Sequence, residues 1–417
     1  MTGPTDLPSL PDARFAGLLA EAQALQATTV ELRRDIHRHP ERGLHLPRTQ
    51  AAIQRALADL PLEIRLGKST TSVTAVLRGT QPGPSVLLRG DMDALPLQED
   101  TGLEFASLEA GTMHACGHDA HVAMLASAAR LLAAHVDELA GSVVFMFQPG
   151  EEGFHGARHM IHEGVLDAAG ERVERAFGLH VSANIASGRL ETRQGPIMAS
   201  TDNFFVRVIG KGGHGSAPHH AIDPIPAAAA MVGALQTMIT RRVSAFDPAV
   251  LSVTRIAGGT TTNIIPETAE LEGTFRTLSE RTRALVREEL PKVCEAIGAA
   301  HGCRVQLDIE PGYPVTVNDP VEADRVLELG REVLGAERSA PMPAPIMGGE
   351  DFSYVLQRVQ GAFAFLGACP PGTDPDEAAA NHSNRVLHDE SAFPVGVAMY
   401  TAYALDALRT PRRSLAG

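Results

Sequence analysis

Cysteine is scarce. Cys116, Cys294, Cys303 and Cys369 are the four in 417 residues. That excludes a disulfide scaffold and leaves a thiol available as a ligand, which suits a reducing cytoplasm. No uninterrupted apolar run is long enough to span a bilayer, and the polar, proline-rich start, Met1 to Asp12, has no apolar segment behind a charged one. Neither a membrane span nor a secretory leader is therefore expected. Basic charge is also short: 36 Lys and Arg stand against 50 Asp and Glu, for a formal net charge of -14, without a long basic run. This argues against nucleic acid and anionic membrane as partners. Tryptophan is absent, and nothing follows from it. What is present is ordinary for a globular protein, 44% hydrophobic and 21% charged, in a chain long enough for two or three domains.

Along the chain, apolar spacing predicts a helix over 12–38, ended by His39-Pro40. Strands are expected at 71–78 and, after a Pro-Gly-Pro turn, at 85–89. The latter runs into Gly90-Asp91-Met92-Asp93-Ala94-Leu95-Pro96, placing carboxylates at a strand's C-terminal end, where sites collect in open α/β sheets. A helix over 120–139, a strand over 142–148 and a strand over 175–180 follow. This alternation predicts a mostly parallel sheet with helices on both faces. From about Met198 the order becomes β-α-β-β-α-β: strand 203–209, helix 223–242, strands 249–256 and 268–276, helix 279–300, strand 303–310. The expectation is an inserted ferredoxin-like α+β domain over 196–313, interrupting a discontinuous domain over 1–195 and 314–417. A strand at 362–366, a helix at 392–408 and a polar tail from Arg409 complete the latter.

The chemistry concentrates in Met113-His114-Ala115-Cys116-Gly117-His118-Asp119-Ala120-His121, which carries a thiol, imidazoles and a carboxylate. These are donors for borderline metals. Cys116 and His118 are too close in sequence to share a helix face, so they must converge from a turn, which Gly117 permits; Asp119 reads as the N-cap of the helix that follows. Glu151-Glu152 sits between glycines after an apolar strand. Two adjacent carboxylates stay ionised near a core only if something cationic lies between them, so one can ligate while the other takes a proton from water. His180 at a strand end and His382 within Asn381-His382-Ser383 read singly as structural histidines, and gain weight from the ensemble. In the insert, glycines around Gly210-Lys211-Gly212-Gly213-His214 expose His214, while Asn263 and Arg276 suit a carboxylate ligand; alone, Arg276 reads as a surface ion-pair residue.

Taken in order, these pieces resemble the metal-dependent amidohydrolases of the aminoacylase and carboxypeptidase clan, and within it the hippurate hydrolases, bacterial N-acyl-amino-acid aminoacylases and plant auxin-conjugate hydrolases. The stretches that carry the resemblance are Asp35-Ile36-His37-Arg38-His39-Pro40-Glu41, Arg89 to Pro96, His114 to His121, Gln148 to Gly153, Gly212-Gly213-His214, Asn263 with Pro266, Gly273-Thr274-Phe275-Arg276 and Gly348-Gly349-Glu350-Asp351-Phe352. The resemblance implies a catalytic domain holding two divalent metals and a lid domain that mediates dimerisation. It implies Cys116, His118, Glu152, His180 and His382 as metal ligands, with Cys116 bridging as thiolate where the wider clan has an aspartate. Glu151 is implied as general base, and Asp93 as the residue that orients a ligand. Asp91 stands where the wider clan often has a metal-binding histidine and is not counted as a ligand. His214 is implied to reach the partner subunit's site and stabilise the oxyanion, and Asn263 and Arg276 to hold the substrate carboxylate. A thiolate with imidazoles suits Zn2+, oxygen ligands admit Mn2+, and Co2+ or Ni2+ are compatible. The expected activity is hydrolysis of N-acyl amino acids. A dipeptidase or carboxypeptidase on the same scaffold and an inactive metal-stabilised binding protein are the alternatives. His37, His39, His121, His219 and His388 remain without a role.

Overall fold

A computed structural model describes Phe15 and residues 17–410. The chain divides into two compact units, the first drawn from Met1–Gly195, Asn318–Pro343 and Tyr354–Gly417, the second from Pro196–Val317 and Ala344–Ser353.

The first unit is built on an eight-stranded sheet: β1 (Leu62–Leu66), β2 (Val73–Arg78), β3 (Gln81–Asp91), β4 (Ala140–Gln148), β5 (Arg175–Ser182), β6 (Leu190–Thr192), β7 (Ser339–Pro341) and β8 (Gln360–Gly367), in the order β1-β2-β4-β3-β5-β8-β6-β7. The central strands β4, β3, β5 and β8 run parallel, and antiparallel pairings flank them. Buried on both faces, these strands are near-continuous apolar runs such as Val86-Leu87-Leu88 and Val143 to Phe147. Their register matters for the site. Asp91 lies opposite Gln148, and Arg89 opposite Gly178, so the C-terminal ends of β3, β4 and β5 finish side by side. Asp93, Glu151 and Glu152 just after β3 and β4, and His180 near the end of β5, are thereby delivered to one edge.

Several local expectations needed correction. The helix expected over 12–38 is two helices, Leu18–Ala24 and Gln26–Arg38, which part at Leu25; its expected start at Asp12 falls outside the described residues. β3 begins at Gln81, ahead of the Pro82-Gly83-Pro84 stretch expected to be a turn, and accommodates the two prolines by a register shift between Gln81 and Ser85. The helix after the ligand turn spans His118–Ala134, followed by a 3-10 turn, Val136–Glu138. Helices Pro47–Leu57 and Gly156–His162 and the edge strand β1 were not foreseen.

The second unit has a four-stranded antiparallel sheet ordered Ala249–Gly258, Thr268–Thr277, Asp202–Ile209, Arg304–Pro311, with helices Pro224–Arg242 and Glu280–Ala300 packed against it. Phe204, Val206 and Val208 point into this core while Asn203, Phe205 and Arg207 point out, as strand alternation requires. Asp223 caps one helix through the Ile225 N–H and Ser279 the other through the Thr282 N–H. The segment Ala344–Ser353, expected with the metal-binding part, belongs here: the Ala199 N–H donates to the carbonyls of Ile346 and Gly348 at 3.1 and 2.9 Å.

Candidate metal centre

The ligand turn is made by Gly117, whose φ of 89° is left-handed. A Cβ there would lie 2.3 Å from Val181 Cγ2. Only glycine satisfies both demands. The helix starts at His118, not after Asp119, and Gly117 occupies the cap position. Asp119 is not an N-cap. It is fully buried, and its Oδ2 takes an ion pair from Arg33 Nε at 2.7 Å and a hydrogen bond from His37 Nδ1 at 2.7 Å. A buried carboxylate must be paired, and the two cationic partners hold Asp119 well below the usual carboxylate range against the opposing effect of burial.

Around this turn the structure gathers Cys116, His118, Glu152, His180 and His382. Cys116 Sγ is 3.3 Å from His180 Nε2 and 3.2 Å from His382 Nε2. His382 Nε2 is 3.3 Å from Glu152 Oε1, and His118 Nε2 is 3.9 Å from the same oxygen. Asp93 clamps the glutamate pair: its Oδ1 accepts the Glu151 N–H at 2.9 Å and its Oδ2 the Glu152 N–H at 3.0 Å. One carboxylate thus fixes the main chain of both glutamates. The loop behind them closes where the Gly156 N–H donates to the Gly150 carbonyl at 3.0 Å.

The donor set fits divalent cations. His118 is fully buried, and among the described residues its ring nitrogens have only long contacts, none with good hydrogen-bond geometry. Asp91 Oδ2 stands 3.4 Å from its Nε2 and Asp93 Oδ1 3.5 Å from its Nδ1. Orphaned buried imidazole nitrogens are rare and call for a partner. Without a cation, protons do the balancing. Hydrogen bonds to Cys116 and Glu152 push His382 up to about 10. Burial, reinforced by Glu152, pushes the Cys116 thiol up. Burial, reinforced by His121, holds His180 well below its usual range, so it is a neutral donor.

Two residues passed over in the sequence are part of this framework. His121 is fully buried. It hydrogen-bonds Asp91 Oδ1 at 2.5 Å through Nδ1 and accepts the Val181 N–H at 2.8 Å on Nε2. Its position one turn after His118 was the available signal. Asn381 donates through Nδ2 to the carbonyls of Cys116 and Val181, both at 3.0 Å, and accepts the Ala183 N–H at 3.1 Å. Nothing in the sequence marks it beyond adjacency to His382. Of the other histidines without a role, His37 is accounted for by Asp119, and His388 is a buried, neutral side chain against Gly117.

In the second unit, His214 pairs with Ile264 in a short antiparallel ribbon, and the Gly215 N–H donates to the Asn263 carbonyl at 2.8 Å. His214 and Asn263 are therefore neighbours. His214 is exposed, and its Nδ1 accepts the Ser216 N–H at 3.1 Å, which puts the ring proton of the neutral imidazole on Nε2. Arg276 is half-buried and has no ion pair among the described residues, while neighbouring Asp202 is taken by Arg283 and Arg287. The structure does not bring Arg276 to the other two. It sits near one end of the strand Thr268–Thr277, and Asn263 precedes the other end. At about 3.3 Å per residue the strand puts roughly 26 Å between Thr268 and Arg276.

The model of Peptidase family M20/M25/M40 matches residues 87–406. This chain belongs to that family. Among its relatives, thermostable carboxypeptidase 1 of Saccharolobus solfataricus is 37% identical over 92% of this chain and 96% of its own length. N-acetylcysteine deacetylase of Bacillus subtilis is 36% identical over 93% and 99%. The crystal structure of Bacillus subtilis YXEP protein, titled a dinuclear metal binding peptidase from M20 family, superposes with a TM-score of 0.80 at 34% identity, covering 93% of this chain and 99% of that one. The chain is thus a metal-dependent hydrolase of the M20/M25/M40 family, built on a mixed α/β fold.

Proposed function

We propose that this chain hydrolyses the amide bond of N-acyl amino acids, releasing a carboxylic acid and a free amino acid. The observation that carries the reading is the clamped pair Glu151-Glu152: one carboxylate faces the thiol and imidazoles, while its neighbour stands beside it on the same rigid main chain. The deacetylase relative supports the choice of substrate class.

In this reading Cys116, as thiolate, with His118, Glu152, His180 and His382 would hold two divalent cations, Mn2+ or Zn2+ with Co2+ or Ni2+ compatible. Bound there, the cations supply Lewis-acid polarisation of the amide carbonyl and a lowered pKa for the attacking water. Glu151 accepts the proton from that water as its oxygen bonds to the acyl carbon. The same carboxyl then delivers the proton to the leaving nitrogen as the C–N bond breaks, so no charge is left over. Asp93 keeps Glu151 and Glu152 in their places through the two main-chain N–H groups. His214 Nε2–H donates to the oxyanion, a contribution of about 3 kcal/mol for one donor. Asn263 and Arg276 hold the free carboxylate of the amino acid.

Asn263 and Arg276 lie near opposite ends of one strand, so a single substrate carboxylate meets both only if they come from different copies. We therefore propose a homodimer through the second unit, acting as a lid, with His214 and Asn263 serving the partner's site. Among the described residues no helix is long and apolar enough to cross a membrane; we place the enzyme in the cytoplasm on the free thiols.

The test is a panel of hippurate, N-acetyl amino acids and dipeptides, assayed for amine release with each cation. Turnover of the acyl amino acids supports the proposal. The carboxypeptidase relative favours a second reading, cleavage of a C-terminal residue from a peptide, and exclusive turnover of peptides would select it.

A further inference from the structure

The main chain of Val181 is a junction. Its N–H donates to His121 Nε2 at 2.8 Å, and its carbonyl accepts from Asn381 Nδ2 at 3.0 Å and from His180 Nδ1 at 2.7 Å. These contacts decide protonation without any titration. Because His121 Nε2 is an acceptor, its proton is on Nδ1 and is donated to Asp91. Because the Val181 carbonyl is an acceptor, the proton of His180 is on Nδ1. His180 Nε2 is left with a lone pair facing Cys116 Sγ at 3.3 Å. Asn381 uses its whole amide in the same place: one hydrogen of Nδ2 goes to the Cys116 carbonyl, the other to Val181, and Oδ1 receives the Ala183 N–H. The next residue, His382, is held in left-handed backbone with φ 71°, and its own N–H donates to the Ala115 carbonyl at 2.8 Å.

We infer that Asn381 and His121 are positioning residues that act through the Val181 main chain to preset the tautomer and direction of His180, and to lock it to the segments carrying Cys116 and His382. Neither side chain is a ligand in this assignment. His121 ties the Asp91 end of β3 to the end of β5. Asn381 ties the ligand turn to the end of β5 and to its own loop, separated from Cys116 by 265 residues. The donor atoms are therefore arranged before any cation arrives, which lowers the ordering cost of binding it.

The inference rests on the proposed ligand set, and the experiment separates the two. Cation-free wild-type protein, Asn381→Ala and Asn381→Asp are titrated with Co2+, reading affinity by competition with a chelator and the thiolate-to-cobalt absorption band, with urea unfolding of the cation-free proteins alongside. The expected result is unchanged unfolding midpoints, cobalt affinity weakened about 10- to 100-fold in Asn381→Ala, and an altered thiolate band. Asn381→Asp is the sharper probe. It keeps the acceptor for Ala183, loses both donors and adds negative charge near the site, so a purely electrostatic role predicts tighter binding whereas positioning predicts weaker binding. If Asn381→Ala unfolds at lower urea, Asn381→Asp carries the test. Variants that bind cobalt with wild-type affinity and spectrum overturn the inference alone. A wild-type protein that takes up no cobalt overturns the ligand set beneath it.

Discussion

Sγ of Cys116 and Nε2 of His382 lie 3.2 Å apart although 266 residues separate them in sequence. A contact of that span places the loop carrying Asn381 and His382 against the ligand turn, and it makes the donor cluster testable residue by residue.

Cys116→Ala and Glu152→Ala remove groups at the centre of the cluster, and both are expected to lose bound cation, read by elemental analysis after dialysis. Glu151→Gln keeps the shape of the loop and the Asp93 clamp. It is expected to retain cation while turnover falls by about 10²- to 10⁴-fold, the usual contribution of a general base. A near-normal rate in Glu151→Gln would refute that role.

Arg276→Ala should raise KM for N-acyl amino acids with a free carboxylate and leave the corresponding carboxamides little affected. The half-buried guanidinium, which has no ion pair among the described residues, motivates this. Equal losses on both substrate types would show that Arg276 does not read the carboxylate.

Asp119→Leu is expected to destabilise the fold strongly, by about 3–5 kcal/mol, because it leaves Arg33 buried without its nearest counter-charge. Urea unfolding of the cation-free protein measures it. The paired replacement Arg33→Met with Asp119→Leu should recover part of the loss, since no unpaired charge then remains.

His135 gives a pH signature away from the metal centre. Its Nε2 faces Glu21 at 2.7 Å and its Nδ1 Glu138 at 2.8 Å. Burial opposes its charge, but hydrogen bonds to Glu138 and Glu21 outweigh it and raise the imidazole. A raised folded-state pKa means the stabilisation is complete below the unfolded value of about 6.5 and disappears as pH rises through the folded value. His135→Gln should therefore lower the urea midpoint at pH 5.5 and converge on wild type by pH 9. The effect should stay below about 1 kcal/mol at this partly exposed pair. A pH-independent difference would contradict it.

Local patterning made much of this molecule legible. The apolar runs of β3, β4 and β5 and the alternation around Phe204, Val206 and Val208 revealed element type because each depends on which faces are buried. The edge strand β1 escaped although Pro61 and Gly67 bracket it, because it is exposed along most of its length and no buried face imposes an alternation on its side chains. Asp at a helix start is usually a cap, but Gly117 makes this turn, and a buried arginine 86 positions earlier claims the Asp119 carboxylate.

By itself the sequence determined which chemistry is available: a thiol, imidazoles and paired carboxylates, with glycine where the backbone must turn sharply. Only the tertiary structure decided which nitrogen of His121 and of His180 carries the proton, that Asn381 ties two distant segments to its own loop, and that Asn263 and Arg276 sit near opposite ends of one strand. The physical reason is range. Periodicity reports the burial of a residue among its near neighbours, whereas hydrogen-bond direction is settled by groups that only the folded chain brings within about 3 Å.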